Sequence, residues 1–141
     1  MSLLKKEEEE YEFFGVHFIA SYKQCNLDAL VTVSVLQKKL QEACCAAGAT
    51  VLASIDHQFT ASPRVTSGAE EQKNKETTMA GSTFVLLLSE SHASIHTYPE
   101  HAACFVDLFT CGRNCHPDKF DKVLCDYLQP KVVETKRIER K

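Results

Sequence analysis

Side chains able to exchange protons are concentrated between Thr83 and Gly112. An apolar run from Phe84 to Leu88 leads into Ser89-Glu90-Ser91-His92, and His96 and Cys111 follow in the same segment. An imidazole, with an ordinary pKa of about 6.5, accepts protons at neutral pH, whereas a thiol, at about 8.5, is mostly protonated there. These residue types suit acid–base chemistry, but a surface hairpin with ordinary polar residues explains them equally well.

Three predicted strands carry these groups. The run from Phe84 to Leu88 is long enough for a buried strand, and the alternation from His92 to Tyr98 is typical of a strand with two different faces. A third strand covers Ala103 to Phe109 and leads into Thr110-Cys111-Gly112. The strands therefore bring serine, histidine and cysteine side chains into one part of the sheet.

Two helices and three further strands are predicted in the rest of the chain. The strands are Gly15 to Tyr22, Ala49 to Phe59 and Lys131 to Ile138; the helices run from Asn26 or Asp28 to about Ala47, and from Pro117 to before Pro130. This order predicts an α+β fold, a two-layer sandwich of a mostly antiparallel sheet with two helices on one face. Because the other face is left uncovered, we expect the chain to form a dimer.

Residues 60–82 interrupt this pattern. They contain Pro63, Gly68 and Gly81 and a charged run, with no repeating apolar positions, so we predict a flexible insertion. Lengthening a loop costs only about 0.6 kcal/mol per doubling, so the fold tolerates it. An ordinary surface loop is favoured over a lid that covers the site.

Composition limits the classes of function. The 141 residues suit a single domain, and a 44% hydrophobic and 25% charged content is typical of soluble globular proteins. The net charge of -3 argues against nucleic acid as the main partner, and no apolar stretch reaches the roughly 18 residues of a membrane span. The charged opening MSLLKKEEEEYE lacks the apolar core of a signal peptide. We therefore expect the seven cysteines to be reduced, in the cytoplasm.

The central segment contains three ordered motifs: Leu88-Ser89-Glu90-Ser91-His92, Ser94-Ile95-His96-Thr97-Tyr98-Pro99-Glu100 and Asp107-Leu108-Phe109-Thr110-Cys111-Gly112. Together they resemble the signature of the prokaryotic-type S-adenosylmethionine decarboxylases, pyruvoyl-dependent enzymes made as self-cleaving proenzymes. Because the motifs are long and occur in order, the match is much more specific than a short pattern. Weaker similarity extends from Gly15 to the C-terminal strand.

The resemblance implies a cofactor made from the chain itself. Decarboxylating an amino acid requires a group, such as a conjugated imine, that accepts the electrons left behind. By resemblance, Ser91 attacks the carbonyl of Glu90, and elimination cleaves the chain into residues 1–90 and 91–141. Residue 91 then becomes the pyruvoyl group, which binds substrate as a Schiff base. The implied product is the aminopropyl donor for spermidine biosynthesis.

The resemblance also implies roles for other residues. His96 would accept the proton during processing, Cys111 would donate the proton in decarboxylation, and Phe59 would stack on the adenine of S-adenosylmethionine. Glu100 would bind the ribose hydroxyls. The family has Ser-Gly where this chain has Thr83-Phe84, so Thr83 is the candidate processing hydroxyl. No metal ligand is implied.

The spacing of Ser91 and His96 predicts that two subunits share each site. Five residues of extended strand would separate them by about 17 Å and place them on opposite faces. A base must approach within about 3 Å of its proton. We therefore expect His96 to act on Ser91 of a second copy, as the resemblance to the family's dimeric site also implies. Phe59, Thr83 and Glu100 would then come with His96 from one subunit, and Cys111 with Ser91 from the other.

Three alternatives remain open. The first is a pyruvoyl-dependent decarboxylase of the same fold that acts on arginine or ornithine. The second is a catalytically silent homologue that regulates an active partner, which intact Ser91 and His96 argue against. The third is a metal-binding protein, although its five candidate ligands fit no closed zinc pattern well. They are His92, His96, Cys111, Cys115 and His116.

Overall fold

A computed structural model describes residues 13–59, 80–111 and 114–141. In chain order the elements are β1 (Gly15–Lys23), α1 (Leu27–Val31), α2 (Val33–Ala46), β2 (Val51–Gln58), β3 (Ser82–Leu88), β4 (Ser91–Tyr98), a 3-10 turn (Pro99–His101), β5 (Ala103–Cys111), α3 (Pro117–Leu128) and β6 (Val132–Arg140). Most of the predicted insertion, residues 60–79, lies outside the described residues, as does the charged opening.

The six strands form one sheet in the order β2-β3-β4-β5-β1-β6, and every neighbouring pair is antiparallel. The predicted α+β class and antiparallel sheet are confirmed. The number of helices was wrong: the described residues form three helices where two were predicted.

The extra helix arises at Thr32, where the predicted first helix divides into α1 and α2. The Thr32 hydroxyl donates to the carbonyl of Asp28 at 2.7 Å, and the backbone of Thr32 leaves helical geometry with ψ at 81°. Val31, Thr32 and Val33 are consecutive β-branched residues, which restrict side-chain rotamers in a helix. The Thr32 hydroxyl thus bonds a carbonyl that helical backbone N–H groups also use, and this competition ends α1.

The hydrophobic core lies between the helices and one face of the sheet. Alternate residues of β1, β3, β4 and β5 point into it, with Phe18, Phe84 and Ile95 almost wholly buried. The helices contribute the buried residues Leu36, Leu40, Ala43, Cys44, Phe120, Leu124 and Leu128. Gly48 follows α2 with φ at +95°, the left-handed conformation typical of a residue just past the C-terminus of a helix.

The opposite face, here called the open face, has no covering layer in the described part of the chain. Its apolar side chains include Ile55 and Leu87, which are 70% and 55% exposed. Ile19, Val85, Phe105 and Ile138 also lie on this face. None of the described helices is long and apolar enough to cross a membrane.

Candidate active site

Glu90 and Ser91 lie at the tight turn between β3 and β4. Leu88 pairs with Ser91, so only Ser89 and Glu90 form the turn. Glu90 has φ at +61°, a left-handed conformation that costs about 1–2 kcal/mol for a residue with a side chain. The chain thus places backbone strain at the bond that the sequence predicts to be cleaved.

Cys111 lies beside Ser91, at the end of β5. Its backbone N–H donates to the Ser91 hydroxyl at 3.4 Å, and both side chains are half-buried. The structure therefore brings together the predicted cofactor precursor and the predicted proton donor. Nearby, burial raises the pKa of the Cys115 thiol, an effect partly offset by its hydrogen bond to Thr110.

His96 and Thr83 form a second group on the open face. The two residues are directly paired between β3 and β4, and the Thr83 hydroxyl lies 2.9 Å from His96 Nδ1. The candidate processing hydroxyl and the predicted base, which were expected on the same side of the site, therefore lie in contact. Ser82, one position earlier, is buried and faces the helices, so it is not the equivalent group.

Phe59 and Glu100 lie toward the same end of the sheet as His96. Phe59 follows β2, is 38% exposed, and its N–H donates to the carbonyl of Gly81 at 2.7 Å. Its exposure excludes the simple role of a core aromatic. Glu100 is exposed in the 3-10 turn after β4.

The two groups are separated within one chain. β4 is continuous from Ser91 to Tyr98, so its residues 91 and 96 are about 17 Å apart at the rise of a regular strand. Ser91 shares the alternation of the helix-facing residues, whereas His96 is on the open face. The structure does not unite the predicted base with the predicted nucleophile in a single chain.

Between the two groups lies a polar cluster that the sequence interpretation missed. The Ser94 hydroxyl donates to Asp107 at 2.7 Å, and the Asp107 carboxylate lies 3.6 Å from His17 Nε2. His92 stacks on Phe109 with ring centres 5.7 Å apart. The alternation of β1, β4 and β5 already placed these residues on one face, but their neighbours across the sheet depend on strand register.

The proposed metal ligands do not converge. His92 and His96 are four residues apart in β4, or about 13 Å, which is too far to share one ion. Within residues 13–59, 80–111 and 114–141, no three His, Cys, Asp or Glu side chains lie close enough together to hold a metal ion.

Comparison with known proteins identifies the family. Residues 16–141 match the S-adenosylmethionine decarboxylase family. A Brevibacillus brevis protein named S-adenosylmethionine decarboxylase proenzyme is 35% identical over 131 residues, which cover 93% of this chain and 85% of that protein. A Thermotoga maritima protein of the same name is 32% identical over 126 residues, covering 89% and 83%.

A solved structure supports the same assignment. The crystal structure of the adenosylmethionine decarboxylase from Aquifex aeolicus superposes with a TM-score of 0.71 at 27% identity, covering 91% of each chain. The chain therefore belongs to the S-adenosylmethionine decarboxylase family. The resemblance predicted from the motifs is confirmed, and the alternatives of arginine or ornithine as substrate are not favoured.

Proposed function

We propose that this protein decarboxylates S-adenosylmethionine with a pyruvoyl group made from its own Ser91, and so supplies the aminopropyl donor for spermidine biosynthesis. Family membership and relatives named as proenzymes support the reaction class. The observation that carries the cofactor proposal is the turn at Glu90–Ser91. A serine follows a strained residue there, and its hydroxyl is held by the N–H of Cys111.

Self-cleavage starts with attack by the Ser91 hydroxyl oxygen on the carbonyl carbon of Glu90. The amide C–N bond breaks, an ester forms, and the nitrogen of residue 91 takes up a proton. Removal of the α-proton of residue 91 then breaks the ester Cβ–O bond and releases residues 1–90 with a terminal carboxylate. The dehydroalanine left at position 91 tautomerises and is hydrolysed, with loss of ammonia, to the pyruvoyl group. Cleavage also relieves the left-handed strain at Glu90.

His96 is the proposed acceptor of that α-proton. If Nδ1–H of His96 donates to the Thr83 hydroxyl oxygen, 2.9 Å away, Nε2 keeps its lone pair and acts as the base. Thr83 then selects the tautomer and fixes the ring. A positioned base of this kind typically contributes about 10²–10⁴ in rate.

In decarboxylation, the pyruvoyl group supplies the electron sink for the bond that loses carbon dioxide. Cys111 is the proposed acid that returns a proton to the substrate α-carbon. In the uncleaved chain the N–H of Cys111 donates to the Ser91 hydroxyl, so the thiol-bearing residue already lies next to position 91 before the pyruvoyl group forms. Phe59 offers an exposed ring for adenine, and such stacking is worth about 1–3 kcal/mol per base. Glu100, exposed in the turn after β4, is the proposed ribose ligand.

A homodimer with shared sites resolves the separation of Ser91 and His96. The open face carries exposed apolar side chains such as Ile55, Val85 and Phe105, which a second copy would cover. A two-fold axis between two such faces, running across the strands, would lay the His96 end of one copy over the Ser91 end of the other. The Ser94–Asp107–His17 cluster would then lie near the centre of the interface.

Intact-mass measurement of purified protein tests self-cleavage. We expect fragments 1–90 and 91–141, with a blocked, carbonyl-bearing start on the second, and borohydride with substrate should trap an adduct on that fragment. A single stable chain of 141 residues in active protein would contradict the pyruvoyl proposal. Carbon dioxide should be released faster from S-adenosylmethionine than from arginine or ornithine; the reverse order would contradict the proposed substrate.

A further inference from the structure

The ring of Phe59 is held in place although it is partly exposed. Phe59 is the last described residue before the gap at 60–79, and its N–H donates to the carbonyl of Gly81 at 2.7 Å. A side chain at the end of an edge strand usually samples several rotamers. A ring that must present one face to a ligand therefore needs contacts that restrict it.

Gly81 supplies the surface against which this ring rests. A Cβ atom at Gly81 would lie 3.1 Å from Cδ2 of Phe59 and 2.3 Å from the carbonyl oxygen of Thr97, so a side chain there would displace the backbone. Thr97 is buried, and its hydroxyl accepts the N–H of Ser82 at 2.8 Å. The surface beneath Phe59 is thus fixed to β4.

His57 contacts the Phe59 ring from the side. The two ring centres are 5.9 Å apart with an interplanar angle of 68°, an edge-to-face arrangement that aromatic rings favour. His57 pairs with Thr83 across β2 and β3, and Thr83 pairs with His96 across β3 and β4. His57, Thr83 and His96 therefore occupy consecutive positions in one row across three strands.

We propose that His57 is a positioning residue for substrate binding. Its ring edge holds the Phe59 ring against Gly81, so that Phe59 presents a fixed face to the substrate near His96. This inference rests on the proposed stacking of adenine on Phe59. The contribution comes from the aromatic edge of His57 and requires no proton transfer. Its loss raises KM by about 2- to 10-fold, the range of one aromatic pair, and leaves kcat unchanged.

The experiment compares His57→Ala, His57→Gln and His57→Phe for self-cleavage, kcat and KM with S-adenosylmethionine. The His57→Ala and His57→Gln variants should have a raised KM. The His57→Phe variant should have the KM of the unaltered protein, because it alone keeps an aromatic edge beside Phe59. Gln58→Ala is the matched control: it lies on the same strand with the opposite alternation, and its KM should match that of the unaltered protein. In a Phe59→Ala background, His57→Ala should add no further increase, because the partner ring is already gone.

Different results separate this inference from the proposal beneath it. If Phe59→Ala raises KM and His57→Ala does not, Phe59 binds substrate but His57 does not position it. If Phe59→Ala leaves KM unchanged, the stacking proposal fails, and this inference fails with it. A normal KM in His57→Gln but a raised KM in His57→Phe would assign His57 a polar role and overturn the positioning role. A lower kcat in His57→Ala, with an altered pH dependence of kcat, would do the same.

Discussion

Mixed dimers give the sharpest test of the shared site. Ser91→Ala removes the cofactor precursor, and His96→Ala removes the proposed base, so each homodimer should be inactive. In a mixed dimer, one site combines Ser91 of one copy with His96 of the other, and the second site has neither. About 17 Å of continuous strand separates the two residues within a chain, against the roughly 3 Å that proton transfer requires.

The expected magnitude follows from counting sites. Isolated mixed dimers should retain about half the activity of the unaltered dimer, and only the chain carrying Ser91 should be cleaved. Random pairing after equal co-expression would produce mixed dimers in about half of all pairs, hence about a quarter of the activity. Two different affinity tags allow the mixed species to be purified, and mass spectrometry then identifies which chain is cleaved.

A second pair of variants is the control. Ser91 and Cys111 touch within one chain, so Ser91→Ala and Cys111→Ala should not complement each other in decarboxylation. In their mixed dimer, each site lacks one of the two residues. Verified Ser91→Ala/His96→Ala mixed dimers with neither cleavage nor activity would refute the shared site and place each site within one chain.

Three further predictions concern single residues. Thr83→Val should slow self-cleavage by about 2- to 10-fold, the value of one hydrogen bond to His96, while Thr83→Ser should cleave normally; equal rates for both in a time course would contradict a role for the hydroxyl. Burial raises the pKa of Cys44 to about 12, so the folded state retains a proton that the unfolded state loses from about pH 8.5 upward. The free energy of unfolding, measured in urea, should therefore fall as the pH rises from about 8.5 toward 12, by up to about 1.4 kcal/mol per pH unit for this thiol. Cys44→Ala should make this dependence of the unfolding free energy on pH less steep; an unchanged dependence would exclude Cys44 as a cause. Tyr22→Phe should lower the free energy of unfolding by about 1–3 kcal/mol, because Asp121 loses the phenol that donates to it; a melting curve identical to that of the unaltered protein would show that water replaces this donor.

Much of the fold could be predicted from local patterns. The strand predicted from Gly15 to Tyr22 is present as β1, and its apolar residues Val16, Phe18 and Ala20 alternate into the core because successive side chains of a strand point to opposite faces. Pro117 marked the start of α3, because its ring fixes φ near the helical value. The break at Thr32 was missed because it depends on a competition between helix propensity and one side-chain hydrogen bond, and periodicity does not report that competition.

The sequence by itself determined the family, the element order, and the opposite faces of Ser91 and His96. These follow from ordered motifs and from the two-residue period of a strand. Only the tertiary structure decided which groups meet across strands: the Thr83 hydroxyl with His96, the Ser94 hydroxyl with Asp107, and the backbone N–H of Cys111 with the Ser91 hydroxyl. The physical reason is register. A shift of one residue between two antiparallel strands leaves each local pattern unchanged but gives every side chain a new neighbour.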